Sequence, residues 1–287
     1  MPVKSDERFY IAKSQDDAVA ALADRGRDGR PLAGATWIMR APLRHERHDY
    51  AYVALSRIAE LRRIDILADE ISIGACVTHA ELALRLADFP DCRALAQAAA
   101  HSANPAVREV ATIGGNLCAS GFAAADLIPA LICLDADVEL ILAANAERMP
   151  IERFLQLRTN LDPGFLVRRA ILPRSTHSSA HIRLPLRKAG DYPVAIVSLF
   201  VSLKSGGVVE RARVAVGSVE TVARRWERME SALTGHALNP KRAADDARLY
   251  SQDFHGRDGI EAPGWYRQKV LPSLVRRAVE QTQMQRA

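Results

Sequence analysis

The chain is short of the residues that build a self-contained metal or cluster centre. Its four cysteines, Cys76, Cys92, Cys118 and Cys133, form no C-x-x-C pair. An iron–sulfur cluster held by this chain alone is thereby excluded, and the expected role of each thiol is apolar packing in a reduced compartment. The eight histidines are scattered. His45 and His48 in "RHERHDY" lack further ligands and read as solvated loop residues; His79, in the first turn of a helix, reads as structural. G-x-S-x-G, H-E-x-x-H, G-x-G-x-x-G and the Walker A loop are all missing, so no catalytic or metal-ligating residue is assigned. Aromatics make up only 6% of the chain, and Trp37, Trp226 and Trp265 are expected to pack rather than to form a cage. No apolar run is long enough to span a membrane, and "MPVKSDERFY" lacks the apolar core of a signal peptide, so a cytoplasmic location is expected. The net charge of +5 is spread along amphipathic runs, which reads as solvated helix faces rather than a nucleic-acid footprint and leaves room for a modest attraction to an anionic cofactor or an acidic partner. There is no internal repeat and no low-complexity tract.

What is present is an ordinary globular composition, 48% hydrophobic and 25% charged over 287 residues, enough for two domains. "RFYIA" predicts a strand and "SQDDAVAALADRG" a helix, with Ser14 as N-cap, Asp17 in the capping-box position and Gly26 as the stop. Strands are predicted at "RPLAGATWIM", "YAYVALSRI", "IDILADEISIGACV" and "ADVELILAA", and helices at "THAELALRLA", "DCRALAQAAAHSA" and "AADLIPALICL". The stretch "LDPGFLVRRAILPRSTHSSAH" carries the signals of a loop between domains. Beyond it, "PVAIVSLFVSL" and "VERARVAVGSV" flank "KSGG" as a hairpin. Three helices follow, at "TVARRWERMESAL", "PKRAADDARLYSQ" and "PGWYRQKVLPSLVRRAVEQ". The second half is therefore expected to be a small antiparallel sheet covered by helices.

Three short motifs can carry chemistry. "LAGATW" (32–37) and "TIGGN" (112–116) each follow a strand-like run and combine glycine with threonine. Glycine allows backbone amides to approach an anion, and threonine adds a hydroxyl donor. Two such loops converging would cradle a diphosphate; a pair of ordinary turns is the alternative. "RKAGDYPVA" (187–195) places Lys188, Asp191 and Tyr192 in one turn before a buried strand, which is either a strand entry or a cationic and aromatic edge facing a cofactor.

These motifs resemble those of the medium, FAD-binding subunit of the molybdenum hydroxylases, the xanthine dehydrogenase and carbon monoxide dehydrogenase type. "LAGAT" is similar to the family's "LAGGT", Val110 to Asn116 match "VATIGGN" letter for letter, and "SRIAELRRI", "IGACVTHAEL", "RKAGDY" and "YRQKVLPSLVRRAVE" resemble further family segments. The resemblance implies an α+β chain: a two-lobed, PCMH-like FAD-binding domain over 1–174, then a smaller C-terminal α+β domain with an antiparallel sheet and helices over 178–287. It implies that Ala33, Gly34, Ala35, Thr36 and Trp37 form one half of an FAD cradle, and that Thr112, Gly114, Gly115 and Asn116 form the other. Asp126 would bind on the sugar side, Val167 would line the pocket, and Lys188 and Tyr192 would lie near the isoalloxazine ring. Two departures stand out. Ala35 occupies the place of a second glycine, followed by Trp37 where a small or acidic residue is usual. "CASGFAAAD" is one residue longer than the usual path to the aspartate, with Phe122 where proline is common.

The function implied is electron transfer in a dimer of heterotrimers. Electrons would pass from [2Fe–2S] clusters on a small partner, next to a large molybdopterin subunit, through FAD to an external acceptor such as NAD, a quinone or oxygen. A flavin-free structural scaffold of the same type of complex is the alternative reading. A stand-alone FAD reductase is disfavoured by the missing NAD fingerprint.

Overall fold

The computed structural model describes residues 8–142, 145–161, 164–186 and 192–285. Its first sheet is parallel: β1 (Phe9–Ile11), β2 (Gly29–Leu32) and β3 (Ala51–Ala54) lie in the order β1-β3-β2. β1 and β2 both pair in parallel with β3, and the helix Gln15–Arg25 carries the chain from β1 across to β2 on the far side of β3. Ser14 caps it, its hydroxyl accepting from the Asp17 amide at 3.1 Å. Ala18, Val19, Ala21 and Leu22 recur at helical spacing and pack with Val53, Leu55, Ile58, Leu61, Cys76, Ile141 and Leu166 in one core.

The second sheet contains β4 (Ile64–Ile66), β5 (Glu70–Gly74), β6 (Asp137–Leu142), β7 (Asn145–Pro150) and β8 (Leu166–Pro173), all antiparallel, in the order β4-β5-β8-β6-β7. The central strand, β8, lies where the sequence suggests an inter-domain loop. Its adjacent arginines obscure the apolar pattern of Leu166, Val167, Ala170, Ile171 and Leu172. Both pair with Glu139 on β6: Arg168 Nη1 donates to Oε1 at 2.9 Å and Arg169 Nη2 to Oε2 at 2.8 Å. Burial alone would raise the Glu139 carboxyl, but the bonds and charges of Arg169 and Arg168 hold it below its ordinary value.

The third sheet is antiparallel: β9 (Ser178–Pro185), β10 (Pro193–Leu203), β11 (Val209–Gly217) and β12 (Arg224–Arg225), in the order β12-β11-β10-β9. Only residues 174–177 connect β8 to β9, so the expected loop is a four-residue link between two strands. The hairpin at "KSGG" forms as predicted, the Gly207 amide donating to the Lys204 carbonyl at 3.1 Å. "TVARRWERMESAL" is not one helix. Arg224 and Arg225 pair with β11, Trp226 turns the chain with its indole donating to Asp253 at 3.1 Å, and the helix is Glu227–Leu233. "PGWYRQKVLPSLVRRAVEQ" likewise forms two helices, Gly264–Lys269 and Leu271–Met284, divided at Val270 just before Pro272.

Packing divides the chain into two units. The first comprises Met1–His79, Ala106–Ser120 and Ala136–Pro173 and holds the first two sheets. The second comprises Ala80–Pro105, Gly121–Asp135 and Arg174–Ala287 and holds the third. Two excursions from the N-terminal half, 80–105 and 121–135, thus pack with the third sheet. Ala195, Val197, Leu199 and Val201 of β10 join Leu271, Leu274, Val275, Ala278 and Val279 in one core. The helices Arg93–His101 and Leu127–Cys133 also contact β10, which explains its almost unbroken apolar run.

Candidate functional site

In the first unit, β2 ends at Leu32 and the chain turns through Ala33 to Trp37. Gly34 lies so close to the second loop that a Cβ built on it would sit 1.7 Å from the Val110 carbonyl oxygen. The two glycine loops therefore meet, backbone to backbone. Ala35 adopts φ +61°, a left-handed conformation that glycine accepts without penalty and alanine does not. The amides of Gly34, Ala35 and Thr36 have no acceptor among the described residues. Successive unused amides around a left-handed residue form an anion-binding concavity.

The second loop is built differently. "TIGGN" is the start of a short helix, Ile113–Cys118, with Thr112 as its N-cap. Its amides are already engaged: Ile113 donates to Val77 O at 3.0 Å, Gly114 to Ala75 O at 2.8 Å, Gly115 to Thr112 Oγ1 at 3.1 Å and Asn116 to Thr112 O at 2.9 Å. Gly114 is bare because the helix presses on the backbone at Ala75, where a Cβ would meet the carbonyl oxygen at 2.7 Å. Internal packing alone therefore calls for glycine at this position. Ala75 also donates to Arg168 O at 3.0 Å, so one residue ties the second loop to β8 beside Val167. Val167 is 4% exposed. The Asn116 side chain points inward, and its Oδ1 is buried without a hydrogen-bond partner among the described residues.

Asp126 and Tyr192 belong to the second unit. Asp126 precedes the helix Leu127–Cys133 and is 5% exposed. It accepts from Arg183 Nε on β9 at 2.9 Å, and His181 Nε2 lies 3.9 Å away. His181 Nδ1 is hydrogen-bonded to Ser198 Oγ at 2.9 Å. Burial lowers the His181 pKa, and Asp126 opposes that shift without reversing it. Tyr192 meets Phe122 edge to face, ring centroids 5.2 Å apart. Lys188 lies outside the described residues.

The family described as the FAD binding domain in molybdopterin dehydrogenase matches residues 4–175, and the CO dehydrogenase flavoprotein C-terminal domain matches residues 180–282. The chain belongs to this flavoprotein family. Its cofactor is FAD, and it is an oxidoreductase subunit. The carbon monoxide dehydrogenase medium chain of Afipia carboxidovorans is 31% identical, the match covering 95% of each chain. The 6-hydroxypseudooxynicotine dehydrogenase complex subunit alpha of Paenarthrobacter nicotinovorans is 29% identical over 94% of this chain and 92% of its own. Among solved structures, reconstituted CO dehydrogenase from Oligotropha carboxidovorans superposes with a TM-score of 0.88 at 27% identity, covering 99% of each chain.

The residues of the first unit suit a flavoprotein of this family. The open amides of Gly34–Thr36 suit a diphosphate, and Asn116 Oδ1 is a buried acceptor awaiting a donor. Two residues escape sequence reasoning. Arg183 looks like an ordinary strand residue until β9 brings it to Asp126. Arg44 sits seven residues after Trp37, yet its guanidinium carbon lies 3.8 Å over the Trp37 ring. No periodicity announces either contact. Among the described residues, no helix is long and apolar enough to cross a membrane.

Proposed function

We propose that this chain holds FAD between its two glycine loops and serves as the electron-transfer subunit of a cytoplasmic molybdenum hydroxylase complex. The observation that carries this reading is the run of unused amides at Gly34, Ala35 and Thr36, joined through Gly34 to the loop that buries the unpartnered Asn116 Oδ1. In this reading the three amides and the Thr36 hydroxyl bind the diphosphate, as the partial positive charge of a nest favours an anion. Asn116 accepts a hydrogen bond from the cofactor, and Val167 excludes water beside it. Thr112, Gly114 and Gly115 shape the second wall by packing. Asp126 holds β9 through Arg183 at 2.9 Å, and Trp37 adds an aromatic ring beside the first loop; the assignment of Asp126, Lys188 and Tyr192 to the cofactor rests on the family resemblance.

When bound, FAD would supply a two-electron store that could take single electrons from [2Fe–2S] clusters on a small partner subunit and pass them to NAD, a quinone or oxygen. The thiols of this chain support the assignment of clusters to another subunit. Burial raises Cys76, Cys92 and Cys118 to about 12, which disfavours the thiolate that a cluster requires. The molybdopterin centre is then on a large subunit, in a dimer of heterotrimers.

The test is flavin content and assembly. Expressed with its two partners, the complex should purify yellow with one FAD per copy of this chain. Asn116→Leu, which removes the buried acceptor, should lower FAD occupancy by roughly tenfold. A colourless complex that assembles at full mass establishes the scaffold alternative instead.

A further inference from the structure

The segment that follows the open amides is bracketed by two left-handed residues that are not glycine, Ala35 at φ +61° and His45 at φ +56°. Between them Ile38–Arg44 winds as a 3-10 helix containing Pro42. Its backbone bonds are local: Met39 N to Ala35 O at 2.9 Å, Arg40 N to Trp37 O at 3.1 Å, His45 N to Pro42 O at 3.2 Å and Glu46 N to Ala41 O at 3.0 Å. A seven-residue 3-10 helix is longer than such helices usually persist, and nothing in local propensity favours a left-handed alanine at its entrance. Something must hold this turn against relaxation.

Arg44 has the geometry to do so. From the last residue of the 3-10 helix its side chain reaches back across the whole segment. The guanidinium stacks on the Trp37 ring, Nη1 donates to the Trp37 carbonyl at 3.2 Å, and Nη2 donates to Glu46 Oε2 at 2.5 Å. The Glu46 carboxyl is held below its ordinary value by the bond from Arg44, so the pair stays ionised at neutral pH. A planar, forked cation can stack and donate at once; an ammonium cannot do both in this arrangement.

We infer that Arg44 is a positioning residue for FAD: through Trp37 it clamps the Ala35 turn in the conformation that leaves the Gly34, Ala35 and Thr36 amides open. Trp37 and Ala35 thereby form one device. The clamp supplies what a second glycine would supply by its conformational freedom. The inference rests on the proposed FAD site, and Arg44 acts in it through the backbone rather than by touching the cofactor.

A double-mutant cycle tests it on the full chain loaded with FAD. The rate of FAD release is followed by flavin fluorescence in the wild type, Arg44→Ala, Ala35→Gly and the double variant. Arg44→Ala should speed release about tenfold in the natural chain, and Arg44→Lys should restore only a small part of the loss. In the Ala35→Gly background the same Arg44→Ala change should matter less than about threefold, because glycine holds the left-handed turn without a clamp. An equal effect in both backgrounds means that Arg44 acts as a charge on the anion, and the positioning role is wrong. No effect of Arg44→Ala in the natural chain overturns it too. Wild type that takes up no FAD sinks the cofactor reading itself. In that event a coupling between positions 35 and 44 in the thermal midpoint of the flavin-free chain marks a purely structural clamp, and the positioning role falls with the cofactor.

Discussion

Glycine and its replacements sort by what a Cβ would meet. At Gly114 an added Cβ collides with backbone, the Ala75 carbonyl oxygen at 2.7 Å and its Cα at 3.2 Å, and neither can rotate away. At Gly115 the nearest atom is the Thr112 hydroxyl at 3.1 Å, a side chain that can yield by a few tenths of an ångström. Gly114→Ala should therefore destabilise the chain by about 2 kcal/mol, in the range of overpacking, whereas Gly115→Ala should lose well under about 1 kcal/mol. Urea unfolding of the two variants checks the order, and equal losses would show that the Ala75 contact is not the constraint. The outcome also bears on how the double glycine is used: valine at position 114 acts on folding before it acts on FAD retention. Ala35 is the opposite case. Relief of left-handed strain gains about 1–2 kcal/mol and the extra freedom of unfolded glycine loses about 0.4–1 kcal/mol, so Ala35→Gly should stabilise by a net of about 0.5–1 kcal/mol, visible as a raised thermal midpoint.

Among the elements, the ion pair between Asp126 and Arg183 joins the helix Leu127–Cys133 to β9 with both side chains nearly buried, at 7% and 10% exposure. Removing one partner of such a pair strands the other charge. Arg183→Leu is therefore expected to destabilise by about 3 kcal/mol, measured by urea unfolding of the flavin-free chain. A loss below about 1 kcal/mol would remove the structural role of the pair. The elements that were legible in the sequence are those whose burial pattern is local. The helix at 15–25 announced itself by its cap and stop, and the β10–β11 hairpin by its glycine turn. The antiparallel sheet covered by helices followed from these. The elements that were missed depend on distant partners. β8 needs Glu139 on β6 to accommodate its arginines, and β12 exists only because β11 lies beside it. The helix after Thr112 carries two glycines, which conceal its period, and its first amides are fixed by Ala75 and Val77. The same holds for the site. Both loops could be found from glycine and threonine, but which loop keeps its amides open depends on contacts across the first unit.

At the scale of the whole molecule, stability should follow pH through histidines that fold in the neutral form. His177 packs against the Phe200 ring at 4.3 Å, and its Nδ1 lies 2.9 Å from Ser175 Oγ. Burial lowers its pKa despite the opposing bonds at Ser175 and Asp91, and burial lowers that of His181 despite Asp126. Unfolding returns both imidazoles to water, where they titrate near about 6.5. Below that pH the unfolded chain binds protons that the folded chain does not, so the stability contributed by these residues is present above about pH 6.5 and is lost as pH falls toward the depressed folded values. Each can contribute a slope of up to about 1.4 kcal/mol per pH unit. The carboxyls act lower on the scale. Asp135, Glu139 and Glu220 are depressed, burial outweighed by arginine bonds and charges and, at Glu220, by the His255 amide as well, so their share persists until pH falls through the ordinary carboxylate range of about 4. Two stages of acid loss should therefore be seen, and the upper one belongs to the histidines. Urea unfolding of the flavin-free chain between about pH 7.5 and 5 should show falling stability, and a His177→Gln/His181→Gln double variant should flatten that slope while leaving the lower stage in place. A double variant with the wild-type slope would mean that the upper stage arises from other groups.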